Sequence, residues 1–428
     1  MGRGLDSMSR EGNRSSLHRS VSASSFSSRF AKNLGLSIGT LVLLFAVSEL
    51  VLRAVYHPEN LCNIVRFDER LGWSLKPNSV LRSVDPGRDL DYLVHINALG
   101  MRDREISTTK SPGTKRILIT GDSIVFGTGV DAEWRLSDFV GRALEENIEV
   151  LNAGVCGWGN DQELLYYRTV ARGMEPDIVV VVLTMANDVV NNMIDHLFLG
   201  SAPKPRFVLH GDSLVLAEEK LKEPKPRFGH RVRKVLRNSR ALLFTKRRID
   251  ALRYSRRVKE EQRSILGFEK AGLARNYSHW SVYEKTYAPR LEEAWLLTEA
   301  IFSCFAQLCR EDGVELIVFA FPLKLEVDDD WRAQLHHQYK IDSNLFDFQK
   351  PYRRFASFCE RENIEFHYPL ETFRAVSKTK ALYFEKDTHP NKHGHALAAR
   401  VLLDILRERH NLDYRIAEAD RAYLGSLP

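Results

Sequence analysis

The chain has 428 residues, 44% of them hydrophobic and 28% charged, ordinary values for a globular protein. A formal charge of +6 is too modest to call for a nucleic-acid partner, and no basic-aromatic binding module is present. The five cysteines, Cys62, Cys156, Cys304, Cys309 and Cys359, are odd in number and form no short disulfide framework.

Residues 1–33 are rich in serine and arginine and read as a disordered basic cytoplasmic tail. Residues 34–56 read as a transmembrane anchor. They are uncharged up to Ser48, continue through Glu49-Leu-Val-Leu-Arg53, and reach the ~20 residues that cross a bilayer. Glu49 and Arg53 lie one helical turn apart and can pair near the far interface. The excess of Lys and Arg in the tail places the N-terminus in the cytoplasm and everything after Arg53 in the periplasm or outside the cell. Two other readings stay open. Ala46-Val-Ser48 resembles a signal-peptide cleavage site, which would also export the remainder; alternatively, the segment is a core helix of a cytosolic protein. A pre-domain segment, 57–114, follows.

Strands are predicted over 115–120, 148–151, 178–184, 315–321 and 364–367, alternating with helices near 136–146, 162–172, 291–310 and 396–409. Such alternation implies an α/β fold with a parallel sheet covered on both faces. Gly121-Asp122-Ser123 stands directly after the first strand, where a strand-to-helix turn can present a serine hydroxyl at the carboxyl end of the sheet. A second copy, Gly211-Asp212-Ser213, lies between two short strand-like runs and reads as a β-hairpin turn with no chemical role. Two further strands run into turns: Asn152-Ala-Gly154-Val-Cys-Gly157 and Met185-Ala-Asn187-Asp188. These can supply a backbone N–H and a side-chain amide to an oxyanion.

Residues from about 195 to 287 break the alternation and read as an insertion. Its middle, 231–257, interleaves arginine and lysine with Val, Leu, Ile and Phe and predicts one or two amphipathic helices. Their basic face either is solvated or meets anionic headgroups or an acidic glycan. Tyr277, Trp280, Tyr283 and Tyr287 close the insertion and are read as core, with sugar stacking as the other possibility. Near the C-terminus, Asp387-Thr-His389-Pro-Asn391 precedes Gly394-His395 and a helix. An acid two residues before a histidine can fix that histidine's tautomer for proton transfer from a serine. A zinc site is the alternative chemistry for this cluster.

The blocks Gly121-Asp122-Ser123, Asn152 to Gly157, Asn187-Asp188, and Asp387-Thr-His389 with Gly394-His395 together resemble the SGNH/GDSL hydrolase superfamily. The chain is most similar to its membrane-anchored bacterial members, which carry elements like Gly72-Trp73-Ser-Leu75-Lys-Pro77-Asn78 and Ile96-Asn97-Ala-Leu-Gly100-Met-Arg102-Asp103 before the domain. The resemblance implies a three-layer, flavodoxin-like sandwich over 115–410, with 411–428 as a C-terminal tail. It assigns Ser123 as nucleophile, His389 as base and Asp387 as the orienting acid. The oxyanion hole is assigned to the N–H of Ser123, the N–H of Gly157 and the side chain of Asn187. Two positions depart from the pattern: Met185 replaces a glycine, and Lys386 occupies the usual position of the acid, with Glu385 as a further substitute.

The implied activity is that of an esterase or O-acyltransferase without metal or organic cofactor. It acts on acyl esters, acetyl above all, of a cell-envelope or exported polysaccharide. A non-catalytic glycan-binding or assembly protein and a lipase or lysophospholipase at the membrane surface are the alternatives.

Overall fold

A computed structural model describes residues 23–55, 61–85, 87–195, 203–211, 213–223, 239–242, 244–245, 280–339 and 342–424. The chain divides into two compact units, 1–57 with 231–246, and 58–230 with 247–428.

In the first unit, helix α1 runs from Ala23 to Val55, and Lys32–Ala54 within it is long and apolar enough to span a membrane. The helix thus starts well before the apolar run, and residues 23–33 are helical where disorder was expected. Once the apolar turns form, extending a helix outward adds a hydrogen bond for each residue fixed. Arg53 Nε donates to Glu49 at 2.8 Å, the pairing expected from their spacing. The same carboxylate accepts from Ser239 Oγ at 2.7 Å and from the N–H groups of Arg240 and Ala241. Of the predicted amphipathic helices of the insertion, only this short piece lies among the described residues.

The second unit is built on five parallel strands: β5 (Lys115–Gly121), β6 (Ile148–Gly154), β7 (Ile178–Leu183), β10 (Glu315–Ala320) and β11 (Glu365–His367). Their order across the sheet is β11-β10-β7-β5-β6. The chain first adds β6 on one side of β5, then returns to add β7, β10 and β11 on the other, which is flavodoxin-like connectivity. Alternate strand residues explain the two covering layers. Leu118, Leu151, Val179, Val181 and Val318 face α4 (Asn160–Thr169), α5 (Met185–Asn191), α6 (Pro289–Asp312) and α7 (Lys350–Glu362). Ile117, Ile119, Val180, Val182 and Phe319 face α2 (Ser123–Phe126), α3 (Leu136–Ala143), α8 (Leu370–Ser377) and α9 (Lys392–His410). Every residue of β7 is buried, as expected of a strand enclosed on both faces.

Among the described residues, three antiparallel hairpins sit outside the sheet. Strands β1 (Val65–Asp68) and β2 (Gly72–Leu75) form one, β3 (Ser79–Asp85) and β4 (Leu90–Ile96) the second, and β8 (Phe207–His210) with β9 (Ser213–Leu216) the third. Ser213 therefore stands exposed in a hairpin, as its context predicted. The first two hairpins occupy the pre-domain segment and bury Leu71, Trp73, Leu75, Leu81, Tyr92 and Val94 in the same core as α4 to α6. Of the aromatics closing the insertion, Tyr277 lies outside the described residues. Tyr283 and Tyr287 are buried, the first donating to Glu326 and the second stacking on Trp295, so they are core and not a sugar platform.

The insertion is pinned at its start by Lys204, whose ammonium meets Asp161, both fully buried. Removing one partner of such a pair leaves an uncompensated charge in the interior. Lys204→Met is expected to lower unfolding free energy in urea by about 3–5 kcal/mol, and the double change with Asp161→Leu to recover most of that loss.

Candidate active site

The turn after β5 is built around Asp122. Its carboxylate accepts from the Ile124 N–H at 2.9 Å and caps α2, so Ser123 becomes the first helical residue. Gly127 closes this single turn with φ +80°, the left-handed conformation that ends helices. Gly154, at the end of β6, has no room for a side chain, because a Cβ there would lie 2.2 Å from the Phe126 nitrogen. Asn152 locks the same contact, its amide donating to Val125 O at 2.8 Å and Ser137 Oγ at 2.7 Å.

A fully buried arginine completes the turn. Arg102 donates to the carbonyls of Phe126 and Gly127 at 2.7 Å, Leu93 at 2.7 Å and Val130 at 2.8 Å. Burial, with Arg135 beside it, pushes its guanidinium down to about 9, so it stays charged at neutral pH. One side chain thus satisfies carbonyls from the serine turn, the loop behind it and strand β4.

The loop from Tyr383 to Pro390 brings the histidine to this serine. His389 Nε2 lies 2.8 Å from Ser123 Oγ, and His389 Nδ1 lies 2.5 Å from Asp387 Oδ1. The Asp387 carboxylate also accepts from the His389 N–H at 2.8 Å. Burial opposes its charge, but the His389 bonds and the nearby Arg88 outweigh burial and hold the carboxyl well below the usual carboxylate range. Glu385 and Lys386 are exposed and take no part in this chain of bonds. Asn391 caps α9 by accepting from the N–H groups of His393 and Gly394, while its amide ties down Ala381 and Tyr383. His395 is buried, accepts from the Leu136 N–H at 3.3 Å, and is pushed by burial down to about 3; it is a neutral packing residue.

Around the serine, Asn187 Nδ2 donates one hydrogen to Asp122 Oδ2 at 3.0 Å, which leaves its second N–H for another acceptor. Met185, in place of the expected glycine, is buried in the core and does not displace this amide. Gly157 adopts φ +80°. Among the described residues, no acceptor takes the N–H of Gly157 or of Ser123. The Gly157 loop is held from the pre-domain side: Trp73 Nε1 donates to Cys156 O, and Trp158 Nε1 donates to Trp73 O, each at 3.1 Å. Hydrogen bonds thus bring Ser123, His389, Asp387 and Asn187 together around the turn after β5, beside the point where strand order reverses and open α/β sheets bind ligands, while Gly157 lies in the turn after β6.

Cys156, Cys304, Cys309 and Cys359 are free thiols, and burial pushes Cys156 up to about 12. Among the described residues no cluster of His, Cys, Asp and Glu is arranged to hold a metal ion. One site residue escaped sequence reasoning: Arg88, in the turn between β3 and β4, whose Nε and Nη2 donate to Asp387 Oδ2. No motif marks it, since it reaches the site from a hairpin almost 300 residues away in sequence.

No family model matches the chain, and no curated protein does. Among solved structures, a catalytic mutant of the acetylxylan esterase Axe2 from Geobacillus stearothermophilus matches at 12% identity. It covers 69% of this chain and 95% of its own, with a TM-score of 0.34. LAE5, an α/β hydrolase from the metagenome of Lake Arreo, matches at 13% identity over 68% and 94%, with a TM-score of 0.34. TesA matches at 12% over 68% and 98%, with a TM-score of 0.33. At these values the likeness decides nothing about chemistry.

Replacing Arg102 with lysine keeps a charge but cannot reach four carbonyls at once. Arg102→Lys is expected to lose about 3 kcal/mol or more of stability, read as an earlier urea midpoint with an unchanged denaturant slope.

Proposed function

We propose that this protein is a serine esterase or O-acyltransferase. The carrying observation is the unbroken chain of contacts from Ser123 Oγ to His389 Nε2, and from His389 Nδ1 to Asp387. A serine hydroxyl becomes a nucleophile when a neutral imidazole accepts its proton, and a buried carboxylate on the other ring nitrogen fixes the tautomer that can do so.

In the proposed reaction, Ser123 Oγ attacks an ester carbonyl as its proton passes to His389 Nε2. Negative charge forms on the former carbonyl oxygen, where the N–H groups of Ser123 and Gly157 and the second N–H of Asn187 stabilise it. Asp387 stabilises the imidazolium. Collapse of the tetrahedral adduct breaks the ester C–O bond, and the leaving alcohol takes the proton from His389, giving an acyl-enzyme. Water or a sugar hydroxyl then repeats the sequence in reverse, with His389 again as base.

The finer reading has three parts. Helix α1 anchors the protein in a membrane with the N-terminus cytoplasmic and the catalytic unit exported. The substrate is an acylated glycan of the cell envelope or an exported polysaccharide. The acyl group is acetyl. The length and apolarity of Lys32–Ala54 and the basic residues before it support the first part; the second and third rest on the sequence blocks and their resemblance.

Full-length protein in detergent micelles is expected to react with a fluorophosphonate at Ser123. Ser123→Ala should abolish labelling and Ser213→Ala should leave it intact. His389→Ala is expected to lower kcat on p-nitrophenyl acetate by about 10⁴-fold or more, and Asn187→Ala by about 10²–10³-fold. Acetate release from acetylated oligosaccharides, compared with fatty-acid release from lysolipid, tests the substrate class. Native protein that neither labels nor hydrolyses any of these esters would sink the enzyme reading.

A further inference from the structure

We infer that Arg88 is a positioning residue for this chemistry, locking the far oxygen of Asp387 and holding a fixed cation against the His389 ring. The inference deepens the esterase reading and rests on it for its rate measurements.

A triad acid must present one oxygen to the histidine ring and keep it there. Oδ1 of Asp387 is spent on His389, accepting from both its ring and its backbone N–H. Oδ2 receives only the Nε and Nη2 groups of Arg88 among the described residues. The carboxylate is buried, with its two oxygens held from opposite sides, Oδ1 by His389 and Oδ2 by Arg88. A planar guanidinium fork restrains rotation of the carboxylate, which a point charge does less well. The fork arrives on a hairpin anchored independently of it: Leu81, Leu90, Tyr92 and Val94 are core residues, and the Leu93 N–H donates to Asp131 at 2.6 Å. Arg88 itself is 37% exposed, so its removal leaves that anchoring in place.

The same guanidinium carries an electrostatic consequence. Arg88 Nη2 lies 3.4 Å from His389 Nδ1. Because Nδ1 already donates to Asp387, this is the approach of a fixed cation to a ring that turns cationic during the reaction. Around the ring, Asp387 favours the imidazolium and Arg88 opposes it at the Nδ1 edge. Asp122 lies beside Ser123 on α2. Lys324 interacts with Asp387 from beyond β10, and Arg102 and Arg135 act on His395, as His389 itself does. Arg88 is the cation in contact with the ring, so removing it leaves Asp387 less opposed in favouring the imidazolium. Only the neutral ring can act as base, so the acid limb of the rate profile is expected to move to higher pH.

The test uses full-length protein in detergent micelles, with active sites counted by fluorophosphonate titration and p-nitrophenyl acetate as substrate. In Arg88→Gln the acid limb of kcat/KM is expected to rise by about half a pH unit or more, and plateau kcat to fall about tenfold with KM little changed. Arg88→Lys retains a cation without the fork: its acid limb should stay near the native position while kcat still falls. A purely structural role would lower active-site counts without moving the limb. Profiles of Arg88→Gln that superimpose on native after scaling, or an Arg88→Lys limb displaced as far as that of Arg88→Gln, would overturn the inference. The ring titration of His389, followed by NMR of ¹³C-labelled histidine and assigned with His389→Gln, reads the same cation without turnover. An equal ring pKa in native and Arg88→Gln protein overturns the inference even if no ester is hydrolysed. Absent labelling and hydrolysis in native protein would count against the esterase reading alone.

Discussion

The site depends on one hydrogen bond, 2.8 Å long, between a hydroxyl at position 123 and an imidazole at position 389. It spans most of the chain, so the backbone at both ends must be fixed to a fraction of an ångström by other contacts. The serine end is fixed in depth. Asp122 caps its helical turn, Asn152 and the missing side chain of Gly154 seat the turn against β6, and Arg102 gathers the carbonyls behind it. The histidine end is fixed more lightly, by the Asn391 cap and by a carboxylate clasped from outside the sheet. Rigid support around reacting groups is what lets fixed dipoles act on a developing charge without first reorganising.

Sheet order supplies the geometry that makes these contacts reachable. Because β6 and β7 flank β5 on opposite sides, the loops after β5 and β7 diverge and leave a crevice between them. Asp122 and Asn187 meet across it, so a single carboxylate both starts the serine helix and orients the amide opposite. An Asp122 side chain with two structural partners explains why aspartate, and not merely any helix-capping residue, stands before the serine.

Much of this was legible in the sequence, for definable reasons. Four of the five sheet strands, β5, β6, β7 and β10, hold mostly buried aliphatic runs whose residues alternate between two cores. The serine, asparagine and histidine blocks each follow a strand or precede a helix, which restricts where their side chains can point. What escaped is tertiary. The hairpins of residues 65–75 and 79–96 end in turns with no Asn-Gly signature; β4 does alternate, burying Leu90, Tyr92, Val94 and Ile96, but that period does not say which core it covers. Helix α7 carries Lys350, Arg353, Arg354 and Arg361 among its apolar positions, and that charge obscured its buried stripe. Arg88 had no local signal because its partner is distant in sequence. Helix α1 extended further than its apolar run because helix ends follow propagation as well as hydropathy.

The interlock of Trp73 with Cys156 and Trp158 has a practical corollary. Together with Arg102 and Arg88, it makes the stretch preceding the first central strand part of the support of the candidate site and not a spacer. A soluble version freed of its apolar helix therefore needs to begin near residue 58. One trimmed to the first sheet strand at residue 115 would keep Ser123, His389 and Asp387 while discarding the scaffold that aims them.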